Sequence, residues 1–282
     1  MLEAITLHSE VHMLPLSNAH THTTFCDGKN TVEEMVQAAI ARGFVSLGFS
    51  IHGWTPYEVA PLSMEKEARY QSEVRRVAEV YRDKLDIICG VERDAGFERP
   101  LDGFDYHIDS VHFLPCEGEM TSIDFSAQRT QHIVDCAFGG DYYAFCRAYY
   151  RLLCEVCETS TARFLGHIDL CTKFNEGGQR FDESDPRYRG PALEAVECAV
   201  RRGLPIEINT GAIARGNRIT PYPSPALLRH IHALGGKIII NSDAHSAEMI
   251  DCAFPQAVAL AKDCGFKTVL RLRSFGFEEI PL

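Results

Sequence analysis

Short apolar runs of strand length alternate along this chain with amphipathic stretches of helical length, a pattern that predicts repeated β-α units around a mainly parallel sheet. Strands are expected near Ser17 to His20, Phe44 to Ser50, Asp86 to Glu92, Tyr106 to His112, Arg163 to His167, Pro205 to Asn209, Lys237 to Ser242 and Thr268 to Leu272. Helices are expected over Val32 to Arg42, Glu65 to Asp83, Asp141 to Glu158, Ala192 to Arg202, Pro225 to Leu234 and Glu248 to Cys264. Thr31 followed by Glu33 and Glu34 reads as an N-cap with an acidic first turn, and Gly43, Gly203 and Gly235 fall where helices should stop. Two polar stretches, Pro115 to Gly140 and Asn175 to Arg189, escape the pattern and read as loops or excursions beside a site. With no internal repeat, low-complexity tract or domain-separating linker, residues 1–282 read as a single domain.

Composition narrows the class. No apolar run approaches the roughly 18 to 20 residues of a membrane-spanning helix, so no membrane association is expected. The start, Met1 to Glu10, lacks a basic segment followed by an apolar one, which makes a cytoplasmic location the default. Eleven cysteines, odd in number and scattered through apolar segments, suit buried thiols in a reducing compartment; Cys154 and Cys157 share one helix face and read as core packing. A net charge of −11 repels nucleic acid and anionic membrane, leaving a small molecule as the expected partner and self-association into a homo-oligomer open. An anionic substrate would then need local cations, and twelve histidines offer the means to hold them.

Histidines and carboxylates collect at the carboxyl ends of the expected strands. His20 and His22 alternate on the first strand and so face the same way. The next strands end at His52, Glu92, His112 and His167, and the Lys237 to Ser242 strand runs into Asp243 and His245. A single strand-end histidine is commonly structural, but parallel strands present their carboxyl ends on one face, where ligands bind. His8, His12, His132, His230 and His232 have no such placement and read as surface or core residues, while His107 is left unassigned. Imidazole with carboxylate suits Zn²⁺, Fe²⁺ or Mn²⁺, and a donor set of this size implies two or three divalent ions with Glu92 bridging two of them. Such a cluster lowers the pKa of a bound water and neutralises charge on phosphoryl oxygens, so hydrolysis of a phosphate ester is the reaction it fits.

The segments His20-Thr21-His22-Thr23-Thr24-Phe25-Cys26-Asp27-Gly28, Gly90-Val91-Glu92, Ser110-Val111-His112-Phe113, Gly166-His167-Ile168-Asp169, Glu207-Ile208-Asn209-Thr210-Gly211 and Ser242-Asp243-Ala244-His245 span residues 18 to 245. In them the chain resembles the PHP-type (polymerase and histidinol phosphatase) metallohydrolases. With Tyr222-Pro223-Ser224-Pro225 it resembles their histidinol-phosphatase branch in particular. The resemblance implies an α/β fold, a distorted TIM-like (β/α)7 barrel with a trinuclear site. His20, His22, Glu92 and Asp243 would hold one ion, Glu92, His112 and His167 a second, and Asp27, His52 and His245 a third. Glu92, Asp243 and His245 are expected to be catalytic as well as ligating. The implied reaction is hydrolysis of L-histidinol phosphate to L-histidinol and phosphate in histidine biosynthesis. The alternatives are action on another small phosphomonoester or a nucleotide, and a non-catalytic metal-binding relative.

Two positions depart from the family pattern. Asp27 stands where the branch often has histidine, which makes that ligand harder and more acidic, and Ile51 stands where many members carry an acidic residue. Lys173 and Arg215 resemble positions the family uses for phosphate, a dianion that needs cationic partners. Asp169 is expected either to order His167 or to bind the substrate's amine.

Overall fold

The computed structural model describes residues 16–56, 63–97 and 99–282; His8, His12 and the Met1 to Glu10 segment lie outside the described residues. The chain runs β1 (Ser17–Asn18), α1 (Val32–Ala41), β2 (Ser46–His52), α2 (Met64–Tyr81), β3 (Asp86–Asp94), β4 (Tyr106–Ser110), β5 (Phe113–Cys116) and β6 (Glu119–Ser122). It continues through α3 (Ala127–Phe138), α4 (Tyr142–Thr159), β7 (Phe164–Leu165), α5 (Pro186–Arg201), β8 (Ile206–Asn209), α6 (Gly211–Ala214) and α7 (Pro225–Ala233). It closes with β9 (Ile238–Asn241), α8 (Phe254–Asp263), β10 (Thr268–Arg273) and β11 (Gly276–Pro281). Helix starts follow local chemistry. Thr31 accepts from the Glu34 N–H while the Glu34 side chain accepts from the Thr31 N–H, a complete capping box on α1.

Nine strands form one sheet in the order β1-β2-β3-β4-β7-β8-β9-β10-β11, and every neighbouring pair is parallel except β10 with β11. The sheet curls so that β1 returns to β9. One parallel bridge, Thr21 with Ala244, spans the seam, with the His22 N–H donating to the Ala244 carbonyl at 2.9 Å. Ala19, just after β1, and inward side chains of β3, β4, β7, β9 and β10 meet inside this curl: Ala19, Ile88, Tyr106, Ile108, Phe164, Ile239, Leu270 and Leu272 pack as one cluster. Tyr106 crosses the interior to donate its hydroxyl to the Ala19 carbonyl at 2.8 Å. It occupies space left by Gly90, where a Cβ would come within 2.2 Å of the ring. The larger apolar core lies between the outer sheet face and the helices.

The parallel α/β reading matches this architecture, but several expectations need correction. The strand expected to reach His20 is a two-residue ladder followed by the Thr21 bridge. Pro115 to Gly140 is an excursion beside the site rather than a loop: it holds the β5–β6 hairpin and α3, capped by Ser126 and stopped by Gly139 in the left-handed region. Its helix eluded pattern reading because only Thr130, Ile133 and Val134 of α3 are buried, too few to draw a long apolar stripe. Helix α5 begins at Pro186, behind the Asp185 cap, rather than at Ala192, because proline is favoured in a first turn. The expected Glu248 to Cys264 helix splits into a 3₁₀ turn, Ala247–Met249, and α8. Strand β10 stands where a strand was expected, over Thr268 to Leu272, and makes eight parallel strands where the (β/α)7 resemblance implies seven; the antiparallel β11 covers its edge.

Candidate metal centre

The exit from β1 builds the floor of the site. Thr21 turns outward and its hydroxyl donates to the Gly48 carbonyl at 2.8 Å, so His20 and His22 both turn inward, with ring centroids 5.3 Å apart. Glu92, 1% exposed on β3, sits between the histidines. Its Oε2 lies 3.2 Å from His20 Nε2, 3.6 Å from His22 Nε2 and 3.2 Å from His52 Nδ1. Its Oε1 lies 3.1 Å from His167 Nε2 and 3.5 Å from His112 Nε2, and accepts from the Ser110 hydroxyl at 2.7 Å. The two carboxylate oxygens thus face two different sets of imidazoles.

Beyond β9 the chain turns through Asp243, whose φ of 48° is a left-handed conformation that aspartate tolerates better than most residues. This turn brings Asp243 Oδ1 to 3.2 Å from His22 Nε2 and gives Oδ2 to Arg215 at 2.8 Å. Arg215 follows α6, and Gly211 leaves it room, since a Cβ there would lie 2.8 Å from Arg215 Nη2. Asp27 closes the outer side, 3.5 Å from His52 Nε2 and 3.1 Å from His245 Nε2, and the His245 ring stacks on His22 with centroids 4.2 Å apart.

Without a cation, protons must balance these charges. Burial would lower His20, but Glu207, Glu92 and Asp243 carry it well above the ordinary imidazole value. His22 is pushed down to about 3 by burial and by the neighbouring His245 and His52. Burial also opposes His112, yet Asp94 and Glu92 raise it to about 9. Glu92 and Asp243 are held well below the usual carboxylate range against their burial, the first by His20 and His112, the second by Arg215 and His20.

His20 Nε2 and His22 Nε2 are buried, aimed into the cluster and without a hydrogen-bond partner, an arrangement that costs free energy unless another group accepts their lone pairs. Donor atoms within 4.8 Å of one another form three groups there: His22, Asp27, His52 and His245; His20, His22 and Asp243; and His20, Glu92 and His167. The residues therefore fit divalent cations.

A supporting layer was not legible as such. Glu207, fully buried on β8, accepts from His20 Nδ1 at 2.8 Å, the His167 N–H at 2.9 Å, Asn209 Nδ2 at 2.8 Å and Asn241 Nδ2 at 2.9 Å. It fixes the tautomer that turns His20 Nε2 inward. Asp94 does the same for His112, whose Nδ1 lies 3.0 Å from Asp94 Oδ1. The available signal was a carboxylate embedded in the apolar strand Ile206–Asn209.

The site opens into a cavity of about 960 Å³ walled by Lys173, Arg215, Asp124, Phe125, Arg129 and the β6 strand. Lys173 Nζ lies 3.0 Å from Asp124, and Arg215 Nη1 lies 3.1 Å from His245 Nδ1. Asp169 does not join them. It is fully buried, accepts from the Ser224 N–H at 2.8 Å, makes no hydrogen bond to the His167 ring and is raised to about 6 by burial. Ile51, 1% exposed, packs in the outer core and also lines the cavity. His107, His132, His230 and His232 do not line the cavity.

A parallel α/β sheet that gathers imidazoles and carboxylates at its carboxyl edge, beside an arginine and a lysine, defines a metal-dependent hydrolase. The PHP domain model matches residues 18–211, and the chain belongs to that family. A protein of Deinococcus radiodurans named probable histidinol-phosphatase is 30% identical over 269 residues, 91% of this chain and 96% of its own length. A protein of Schizosaccharomyces pombe with the same name is 24% identical, over 91% of this chain and 89% of its own. The histidinol phosphate phosphatase of Lactococcus lactis, solved with zinc, L-histidinol and phosphate, superposes with a TM-score of 0.72 at 19% identity, over 94% of this chain and 100% of that one, and thus shares the fold.

Proposed function

We propose that this chain is a histidinol-phosphatase that hydrolyses L-histidinol phosphate to L-histidinol and phosphate, a step of histidine biosynthesis, with residues 1–282 acting as one catalytic unit. The observation that carries this reading is the position of Glu92, each of whose oxygens faces its own set of imidazoles at the base of a cavity with Lys173 and Arg215 in its wall. His20, His22, Glu92 and Asp243 would hold one ion, Glu92, His112 and His167 a second, and Asp27, His52 and His245 a third, with His22 within reach of the last set. Zinc, iron and manganese all suit these donors. Bound there, such ions activate water at neutral pH and neutralise the phosphoryl oxygens.

The remaining work falls to side chains of this chain. Arg215 orients Asp243 and presents its guanidinium beside His245, where a phosphate oxygen can be received. Lys173 adds a second cation to the wall. Asp124, kept ionised against burial by Lys173 and His112, pairs with Lys173 and places one carboxylate in that wall within the cavity that would receive the ammonium of histidinol. Glu207 and Asp94 hold the His20 and His112 rings in register. Eleven free thiols support a reducing, cytoplasmic setting, and among the described residues no helix is long and apolar enough to cross a membrane.

The test is phosphate release from L-histidinol phosphate and from a panel of small phosphomonoesters and cyclic nucleotides, after chelation and re-addition of Mn²⁺, Zn²⁺ or Fe²⁺. Strong preference for histidinol phosphate, abolished by Glu92→Ala, is the expected result. Turnover of other esters alone would discard the substrate, and silence throughout would leave a metal-binding protein without catalysis.

A further inference from the structure

A second set of metal-type donors lies outside the catalytic cavity, on the β5–β6 hairpin and α3. Cys116 ends β5, Glu117 opens the two-residue turn to β6, and His132 projects from α3. One ligand atom from each of the three lies within 4.8 Å of the others. Cys136, four residues after His132 on the same helix face, brings its Sγ to 3.9 Å from His132 Nε2, the ring nitrogen that also faces Glu117. None of the four lines the catalytic cavity.

Two features separate this group from an ordinary surface ion pair. The Cys116 thiol is buried, 5% exposed, at the base of the group, whereas Glu117 and His132 stand in solvent, where their 3.6 Å contact alone is worth little. Glu117 also adopts φ 54°, followed by Gly118 at φ 87°, a turn whose first position favours glycine, asparagine or aspartate. A glutamate held there is a strained choice that reaches toward His132. Two thiols, an imidazole and a carboxylate make a donor set for a tetrahedral, thiophilic cation.

We propose that Cys116, Glu117, His132 and Cys136 form a separate structural site for one divalent cation of the zinc class, tying the β5–β6 hairpin to α3. Burial and the nearby Glu117 raise both thiols, so cation uptake there releases protons. The hairpin and the start of α3 frame Ser122, Asp124, Phe125 and Arg129 in the cavity wall, so the tie steadies that wall without touching the reacting centre.

The experiment compares metal stoichiometry of the full chain, stripped and reloaded with Zn²⁺ or Co²⁺, with that of Cys116→Ser and His132→Ala. Wild type should bind one equivalent more than either variant, so the catalytic ions cancel in the difference. Cobalt loading should give a thiolate-to-cobalt charge-transfer band that Cys116→Ser loses. Cys26→Ser, which removes the thiol 3.5 Å from His22 Nδ1, should keep it. His132→Ala alters an exposed side chain and carries the test if Cys116→Ser fails to fold. Equal stoichiometry in wild type and His132→Ala, or a band that disappears only with Cys26→Ser, overturns the proposal. The stoichiometric difference stands or falls whatever ester the catalytic site cleaves.

Discussion

Replacing Glu207 by glutamine keeps the shape of the side chain and removes its charge, which isolates what the carboxylate does behind His20. Oε1 accepts from His20 Nδ1 and Asn241, and Oε2 from the His167 N–H and Asn209, so an amide NH₂ at either position meets two donors. Leaving a buried polar group unpaired costs about 1–3 kcal/mol, so two such groups cost about 2–6 kcal/mol in the metal-free protein. Loss of an anion behind a ligating imidazole lowers metal affinity about 10- to 100-fold. Thermal unfolding of the chelated protein reads the first effect, and competition for zinc with a chromophoric chelator reads the second. An unfolding midpoint within about a degree of wild type together with zinc affinity within about twofold would refute Glu207 as the group that positions His20.

Gly90→Ala forces a Cβ to within 2.2 Å of the Tyr106 ring, and should lower stability by about 3 kcal/mol or more in denaturant titrations. Thr31→Ala removes the capping box of α1 and should cost about 1 kcal/mol while leaving metal content unchanged. Lys173→Ala should raise KM for the phosphate ester with kcat little altered, since the ammonium sits in the cavity wall rather than among the metal-type donors. Burial works to raise Asp86, but the Ser274 N–H and Arg273 outweigh it and hold the carboxyl below its ordinary value. A depressed folded-state pKa contributes stability above the unfolded value of about 4 that is lost as pH falls through the folded value. The stability difference between wild type and Asp86→Asn, measured by denaturant unfolding, should therefore be present at neutral pH and vanish in acid; a difference that persists there would refute the assignment.

The clustered histidines were legible because strand alternation and the strand–helix rhythm are written in neighbouring residues. His20 and His22 needed only a spacing of two, and Glu92, His112 and His167 only the end of an apolar run. Helix α3 was not legible, since it rides on a hairpin and buries a narrow stripe. The role of Glu207 could not be read from its neighbours, because its four donors come from β8 itself and from segments around residues 20, 167 and 241.

The parallel α/β class, the helix caps and the histidines and carboxylates that gather at strand ends could be read locally, because periods of 2 and 3.6 residues and capping chemistry act between neighbours. Tertiary packing alone sets the rest: Glu92 offers one oxygen to each group of imidazoles, Asp169 turns to the Ser224 N–H, and Cys116 meets His132. Those relations depend on the curl that returns β1 to β9 and on the fold of an excursion, and distances between residues far apart in sequence are set by sheet order and packing rather than by any local pattern.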